Sequence, residues 1–245
     1  PTRLDASTAR RYLMAELEQL HRRLEKLAGH PIAPESLRAS IHIYNEKRHR
    51  LNRLTSQRDR LSNTDFYRLL DLGFVMPVEE YNALLEQALE ALSQQPPLAA
   101  DTPRLVLVGA VLDDPVVLPV LDELGARVVG DDLCTGRRYY AELVREDEDS
   151  IAALADRYLQ RLPCPAKYHA EYPRAGHLLR LVQETQADGV VFLLSKFCDP
   201  HAFDYALAKP ALESAGVPHL VLESEHTPAP GQMRTRLQAF LEMIS

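Results

Sequence analysis

A chain of 245 residues, 46% hydrophobic and 26% charged, holds enough apolar material for one large core or two small ones. Its longest apolar runs, Leu105 to Leu112 and Gly189 to Leu194, fall far short of the ~20 residues that a membrane-spanning helix needs. A net charge of -7 argues against nucleic acid as the main partner, because phosphate binding draws on a clustered basic surface.

The chain opens on Pro1-Thr2, with no methionine and no charged-then-apolar leader, and so reads as a fragment or a trimmed chain. Leu13, Leu17, Leu20, Leu24 and Leu27 fall on one stripe of a helix that Gly29 and Pro31 end. A long amphipathic helix follows Pro34 and runs to about Leu61, with Leu37, Ile41, Tyr44, Leu51 and Leu54 on one face. Its other face is basic: Lys47, Arg48, Arg50, Arg53, Arg58 and Arg60 read as a solvated surface in preference to an anion site. Helices over about Asp65 to Leu72 and Val78 to Leu92 complete an all-helical region. The proline-rich Ser93-Gln94-Gln95-Pro96-Pro97 closes it, so residues 1–98 form a helical domain and 103–245 a second, α/β domain.

Beyond that boundary short β-branched runs alternate with helices, the pattern of βαβ units. Strands are expected at Arg104 to Val108, Arg127 to Val129, Gly189 to Leu194 and His219 to Glu223. Helices are expected near Val116 to Leu124, Ser150 to Leu162, Ala175 to Gln186, Asp204 to Ala215 and Gly231 to Ile244. The fold class is therefore α/β: a helical region followed by a doubly wound, mostly parallel, four-stranded, flavodoxin-like sheet. Ligands of such sheets bind outside the carboxyl ends of the strands, which directs attention to the segments just after each strand.

Those segments are Gly109 to Asp114, Gly130 to Arg138, Ser195 to His201 and Glu223 to His226. Two of the three cysteines, Cys134 and Cys198, fall in them and would share one crevice if strand order brings the segments together, as a soft-ligand metal site requires. The alternative is that each is a small buried hydrophobe. Cys164, between Pro163 and Pro165, serves either role equally well. The three lie 30 and 34 residues apart, with neither a disulfide framework nor a CxxC zinc spacing, and fit a reducing, cytoplasmic setting. Asp113-Asp114 and Asp131-Asp132 read first as turn formers and helix caps, second as acid/base or divalent-metal carboxylates. His201 and His226 lie at the same edge and could move protons. Gly231 to Arg236 opens the last helix with two arginines, a start suited to an acidic group. Neither GxGxxG nor GxSxG occurs.

Taken in order, Asp131-Asp132-Leu133-Cys134-Thr135-Gly136-Arg137, Pro163-Cys164-Pro165, Asp188-Gly189-Val190, Lys196-Phe197-Cys198-Asp199-Pro200, Gly216-Val217-Pro218-His219-Leu220 and Gly231 to Phe240 resemble one family. It is the electron-accepting component shared by 2-hydroxyacyl-CoA dehydratases and ATP-dependent benzoyl-CoA reductases. The resemblance runs from about Arg104 onward, and the helices before it look like the family's middle domain. It implies a [4Fe-4S] cluster, with Cys198 as the first candidate ligand, Cys134 as the second and Cys164 as a third or a structural residue. It also implies an acyl-CoA substrate, a related second subunit, and an ATP-hydrolysing activator that delivers single electrons. In that family an electron passes to the thioester carbonyl, and the ketyl radical then loses a hydroxyl or leads to ring reduction. Family members are longer, with an N-terminal domain bearing further cluster cysteines that has no counterpart here. A non-catalytic partner or assembly protein that keeps the fold without a complete cluster site is the alternative, and a flavin- or nucleotide-binding flavodoxin-like protein ranks last.

Overall fold

The computed structural model describes residues 1–4, 6–98, 101–112, 116–146, 149–161, 164–170, 173–224 and 230–244. Four helices come first: α1 (Ala9–Ala28), α2 (Pro34–Ser56), α3 (Asn63–Val75) and α4 (Val78–Ser93), with a single 3-10 turn at Arg58–Arg60. Local chemistry sets their ends. Gly29 adopts φ 77° and closes α1 through its N–H to Glu25 O, a left-handed cap that suits a residue without Cβ. Pro34 occupies the first turn of α2, where a missing N–H costs nothing. The Ser62 hydroxyl accepts from Asp65 N at 3.0 Å and caps α3.

The rest of the chain alternates strands and helices: β1 (Arg104–Gly109), α5 (Val117–Glu123), β2 (Arg127–Asp132), α6 (Arg137–Tyr140), α7 (Ser150–Gln160), α8 (Arg174–Thr185), β3 (Gly189–Ser195), α9 (Asp199–Ser214), β4 (His219–Ser224) and α10 (Pro230–Ile244). The four strands form one parallel sheet in the order β2-β1-β3-β4. The expected α/β class, with its helical region and doubly wound, flavodoxin-like parallel sheet, is what the chain adopts. Alternation along each strand explains the double winding. Leu105, Leu107, Val128, Val191 and Leu222 face a core shared with Val117, Leu121, Leu237 and Phe240, whereas Val106, Val108, Val190, Phe192 and Leu194 face Leu178, Leu181, Ala208 and Leu212. Strand order reverses at β1, so the carboxyl ends of β1 and β3 form the switch point of the sheet.

The first core continues into the helical region, where Leu51, Leu54, Phe66, Tyr81 and Leu85 join the same apolar cluster. Asp122 of α5 adds a polar tie, accepting from Asn63 N (2.8 Å), Thr64 N (3.0 Å) and Thr64 Oγ1 (2.6 Å) at the open start of α3. Three expectations are corrected. β2 runs three residues further than the β-branched signal, because its end lies against the apolar strand β1, and Asp131 and Asp132 pair in register with Leu107 and Val108. α9 starts at Asp199, five residues early, because Pro200 is favourable in a first turn. The basic face of α2 is not simply solvated: Lys47 and Arg58 are buried, Arg58 in the 3-10 turn beyond the helix.

Lys47 is the sharpest case. Its Nζ donates to Gly73 O (2.6 Å) and Tyr139 Oη (3.2 Å) and lies 5.1 Å from the ring centroids of Tyr81 and Tyr139. Desolvation, helped by the Arg48 charge, pulls its ammonium down to about 8. The unfolded chain keeps that proton to about 10.5, so between those values the unfolded state binds more protons and stability rises with pH. In denaturant titrations from pH 8 to 10, Lys47→Met should flatten that rise by up to ~1.4 kcal/mol per pH unit. Parallel pH curves for the two proteins would show Lys47 fully charged throughout.

Candidate functional site

Because all four strands are parallel, the segments that follow β1, β2 and β3 emerge on one edge of the sheet. Cys134 is the second residue after β2 and is exposed, and its N–H is bonded to Ala110 O (2.6 Å), just beyond β1. Cys198 is half-buried and stands at the N-cap of α9, after a turn in which its N–H donates to Ser195 O (3.1 Å). β2 and β3 flank β1, so the two cysteine segments start two strand spacings apart, about 9–10 Å. Cys164 is half-buried in the connection from α7 to α8, where its carbonyl accepts from Lys167 N (2.8 Å).

Two conformational demands shape this edge. Phe197 takes φ 65°, a left-handed backbone rare for an aromatic residue, and its ring is 97% exposed beside Cys198. Gly136 lies so close to Asp131 that an added Cβ would fall 2.0 Å from Oδ1, so the Cys134 loop tolerates no side chain there.

Beneath the loops lies a polar frame that local sequence pattern does not reveal. The Asp132 carboxylate, fully buried at the end of β2, forms ion pairs with Arg138 Nε at 2.9 Å and Arg174 Nη2 at 2.5 Å, with His177 Nε2 3.8 Å away. Arg174 also grips Asp204 of α9 with two bonds, 2.9 and 2.8 Å. Arg138 reaches further: Nη2 donates to the carbonyls of Gly109 and Asp132, and Nη1 lies 3.5 Å from Cys134 Sγ. Burial alone would raise Asp132, but the Arg174 and Arg138 charges, with His177 close by, hold it well below the carboxylate range. His201 is buried one turn into α9, and desolvation with the Arg138 charge pushes it down to about 4, so it is a neutral imidazole near pH 7.

The neighbouring Asp131 is equally buried and structural. It accepts from Arg137 N (2.7 Å), Tyr67 Oη (3.1 Å) and Arg58 (3.3 Å), so both carboxylates brace the Cys134 loop. The arginines that open α10 are engaged as well, Arg234 with Glu123 and Arg236 with Val221 O (2.7 Å). Asp113, Asp114 and His226 lie outside the described residues.

A [4Fe-4S] cluster takes four cysteine thiolates. Among the described residues no group of three or more His, Cys, Asp or Glu side chains is placed to hold a metal ion. The cysteines here thus do not amount to a complete cluster site. No helix among the described residues is long and apolar enough to cross a membrane.

Removing one member of a buried charge set leaves the others uncompensated. Asp132→Asn should therefore lower unfolding free energy by ~3–5 kcal/mol, measured by denaturant titration at pH 7. A loss below about 1 kcal/mol, the value of an exposed pair, would show the frame to be solvated.

The motif that carries the resemblance has a physical meaning in this geometry, since Asp131, Asp132, Gly136 and Arg138 build the loop that displays Cys134. The model of the family described as 2-hydroxyglutaryl-CoA dehydratase, D-component matches residues 1–244. The (R)-phenyllactyl-CoA dehydratase beta subunit of Clostridium sporogenes is 27% identical over 249 residues, covering 100% of this chain and 66% of that protein. A subunit of the benzoyl-CoA reductase of Thauera aromatica is 30% identical over 217 residues, 85% of this chain and 56% of its own length. The (R)-2-hydroxyglutaryl-CoA dehydratase subunit beta of Acidaminococcus fermentans is 27% identical over 230 residues, with 90% and 61% covered. The chain thus spans slightly under two thirds of the first of these relatives and less of the other two. With a family model matched almost from end to end, the chain belongs to the 2-hydroxyglutaryl-CoA dehydratase D-component family.

Proposed function

We propose that the chain is part of a subunit of an ATP-dependent, iron–sulfur acyl-CoA enzyme, acting by ketyl-radical chemistry in 2-hydroxyacyl-CoA dehydration or benzoyl-CoA ring reduction. The observation that carries this reading is the pair of cysteine loops on one edge of a parallel sheet, in a family whose relatives bear dehydratase and reductase names. Cys198 is the first proposed ligand, for its place at the N-cap of a 16-residue helix, whose first-turn N–H groups favour an anionic neighbour. Cys134 is the second, and Cys164 a third or a structural residue. The remaining thiolates would come from protein outside this chain. On the same reading the partners are an acyl-CoA, a related second subunit and an ATP-hydrolysing activator, in the cytoplasm. Residues 1–98 and 103–245 are proposed as its helical and α/β domains.

This chain's own contribution is to hold the two loops still. Arg138 and Arg174 fix the end of β2 against α8 and α9, and His201, neutral, keeps a further positive charge away from the arginines. The alternative, a non-catalytic partner that keeps the fold, draws on the incomplete ligand set.

Cys198→Ala in anaerobically purified enzyme should lose iron and sulfide together with acyl-CoA conversion, while circular dichroism and melting temperature stay near wild type. Removing one sulfur from a half-exposed cap deletes little packing. Full iron content and rate in that variant would remove Cys198 from the ligand set, and an iron-free wild-type enzyme would leave the non-catalytic reading.

A further inference from the structure

The second half of α1 and the starts of α2 and α7 enclose a cavity of about 360 Å³. Its walls are apolar, formed by Ile32, Pro34, Leu37 and Ile151, and three polar residues, His21, Asp149 and Ser150, complete the lining. That size falls within the range of about 300–1,000 Å³ typical of small-molecule sites, and an apolar wall with a few converging polar groups is their usual make-up. None of these residues belongs to the cysteine segments, and the function proposed above makes no use of them.

Ser150 is the residue that calls for a ligand. It is 7% exposed, and its Oγ has no hydrogen-bond partner, although buried hydroxyls ordinarily find one. Capping does not explain it: Asp149 already caps α7, accepting from Ala152 N at 2.9 Å. An unpaired buried hydroxyl costs stability, and a ligand atom in the cavity would satisfy it. The three polar side chains also select the chemistry of that atom. A carboxylate only accepts, a hydroxyl oxygen accepts through two lone pairs, and a neutral imidazole has one accepting nitrogen. Among the described residues that line the cavity there is no lysine or arginine to meet an anion, and the exposed Asp149 carboxylate would repel one. The same carboxylate offsets the partial positive charge at the start of α7. Three acceptors around one apolar cavity match a head group with three donors, a primary ammonium.

We propose that this cavity binds a small apolar primary amine, with its hydrocarbon body against Ile32, Leu37 and Ile151 and its ammonium donating to Asp149 and Ser150, His21 being the third acceptor. The lining comes from α1, the turn after it, α2 and α7, so the ligand ties these elements together. Of the residues of α1 only Ala9 is buried, which leaves the second half of that helix the most to gain. A ligand that binds the folded state alone raises the melting temperature, and this one should do so.

Isothermal titration and thermal melting of the intact protein with 3-methylbutylamine, 3-methylbutanol and 3-methylbutanoate test this, because the three probes share one apolar body and differ in the head group. The amine should bind with a Kd between about 10 μM and 1 mM, the range open to so small a ligand. The alcohol should be weaker by about tenfold or more, and the carboxylate weaker still. Asp149→Asn keeps a capping side chain but removes the charge, so it should weaken the amine about tenfold or more and leave the alcohol unchanged. Ser150→Ala should weaken the amine too, yet raise the melting temperature of the ligand-free protein by roughly 2 °C, because an unpaired buried group disappears. Ile32→Trp fills the cavity from a turn and should abolish binding of all three probes. Amine binding that is equal in wild type, Asp149→Asn and Ile32→Trp would put the site elsewhere. A carboxylate bound as tightly as the amine would overturn the ligand class, and no amine binding at about 10 mM would overturn the site itself. Iron content and acyl-CoA turnover enter none of these readouts, so the function proposed above is judged separately.

Discussion

A carboxylate sealed from water organises the functional edge of this molecule. Asp132 ends β2, and its charge is held by Arg138 of the short helix α6 and by Arg174 of α8, which in turn holds Asp204 of α9. Two acids and two arginines balance, and in a low-dielectric interior that balance decides whether the arrangement is stable at all. Because the four groups come from four elements, they fix β2, α8 and α9 to one another, and the Cys134 and Cys198 loops inherit that rigidity.

The helical region performs a different task. Among the described residues, its Leu51, Phe66 and Tyr81 join the apolar face of the sheet covered by α5 and α10. The opposite face is covered by α8 and α9, the helices that carry the charge frame. The two faces thus divide the labour: one provides bulk hydrophobic burial, the other places polar groups under the carboxyl edge. Asp122, capping α3 from α5, ties the helices to the sheet on the first side.

Family membership and geometry meet in the segment from Asp131 to Arg138. Gly136 is required by the close approach of Asp131, Arg137 N bonds that carboxylate, and Arg138 links Asp132 to Cys134. The relatives that share this architecture are named as acyl-CoA dehydratase and benzoyl-CoA reductase subunits. The chain covers between 56% and 66% of those three relatives, so the chemistry of a whole enzyme remains a proposal for it.

Element order and sheet class were legible in the residues alone, because both are written in local periodicity: leucine stripes in the first helices, β-branched runs in the strands, glycine and proline at the ends. The same pattern set Cys134 and Cys198 after strands, which parallel pairing turns into a common edge. Charge was less legible. Asp131 and Asp132 looked like turn residues because polarity usually signals solvent, and the basic side of α2 looked like water-facing surface for the same reason. Their burial is a product of the fold. The partners of Asp132 lie 6, 42 and 45 residues away at Arg138, Arg174 and His177, and those of Lys47 lie 26 and 92 residues away at Gly73 and Tyr139. No local pattern can encode a burial that depends on such distant groups. The one available signal was the register of Asp131 and Asp132 beside the wholly apolar Leu107 and Val108, and that became readable only once the strands were paired.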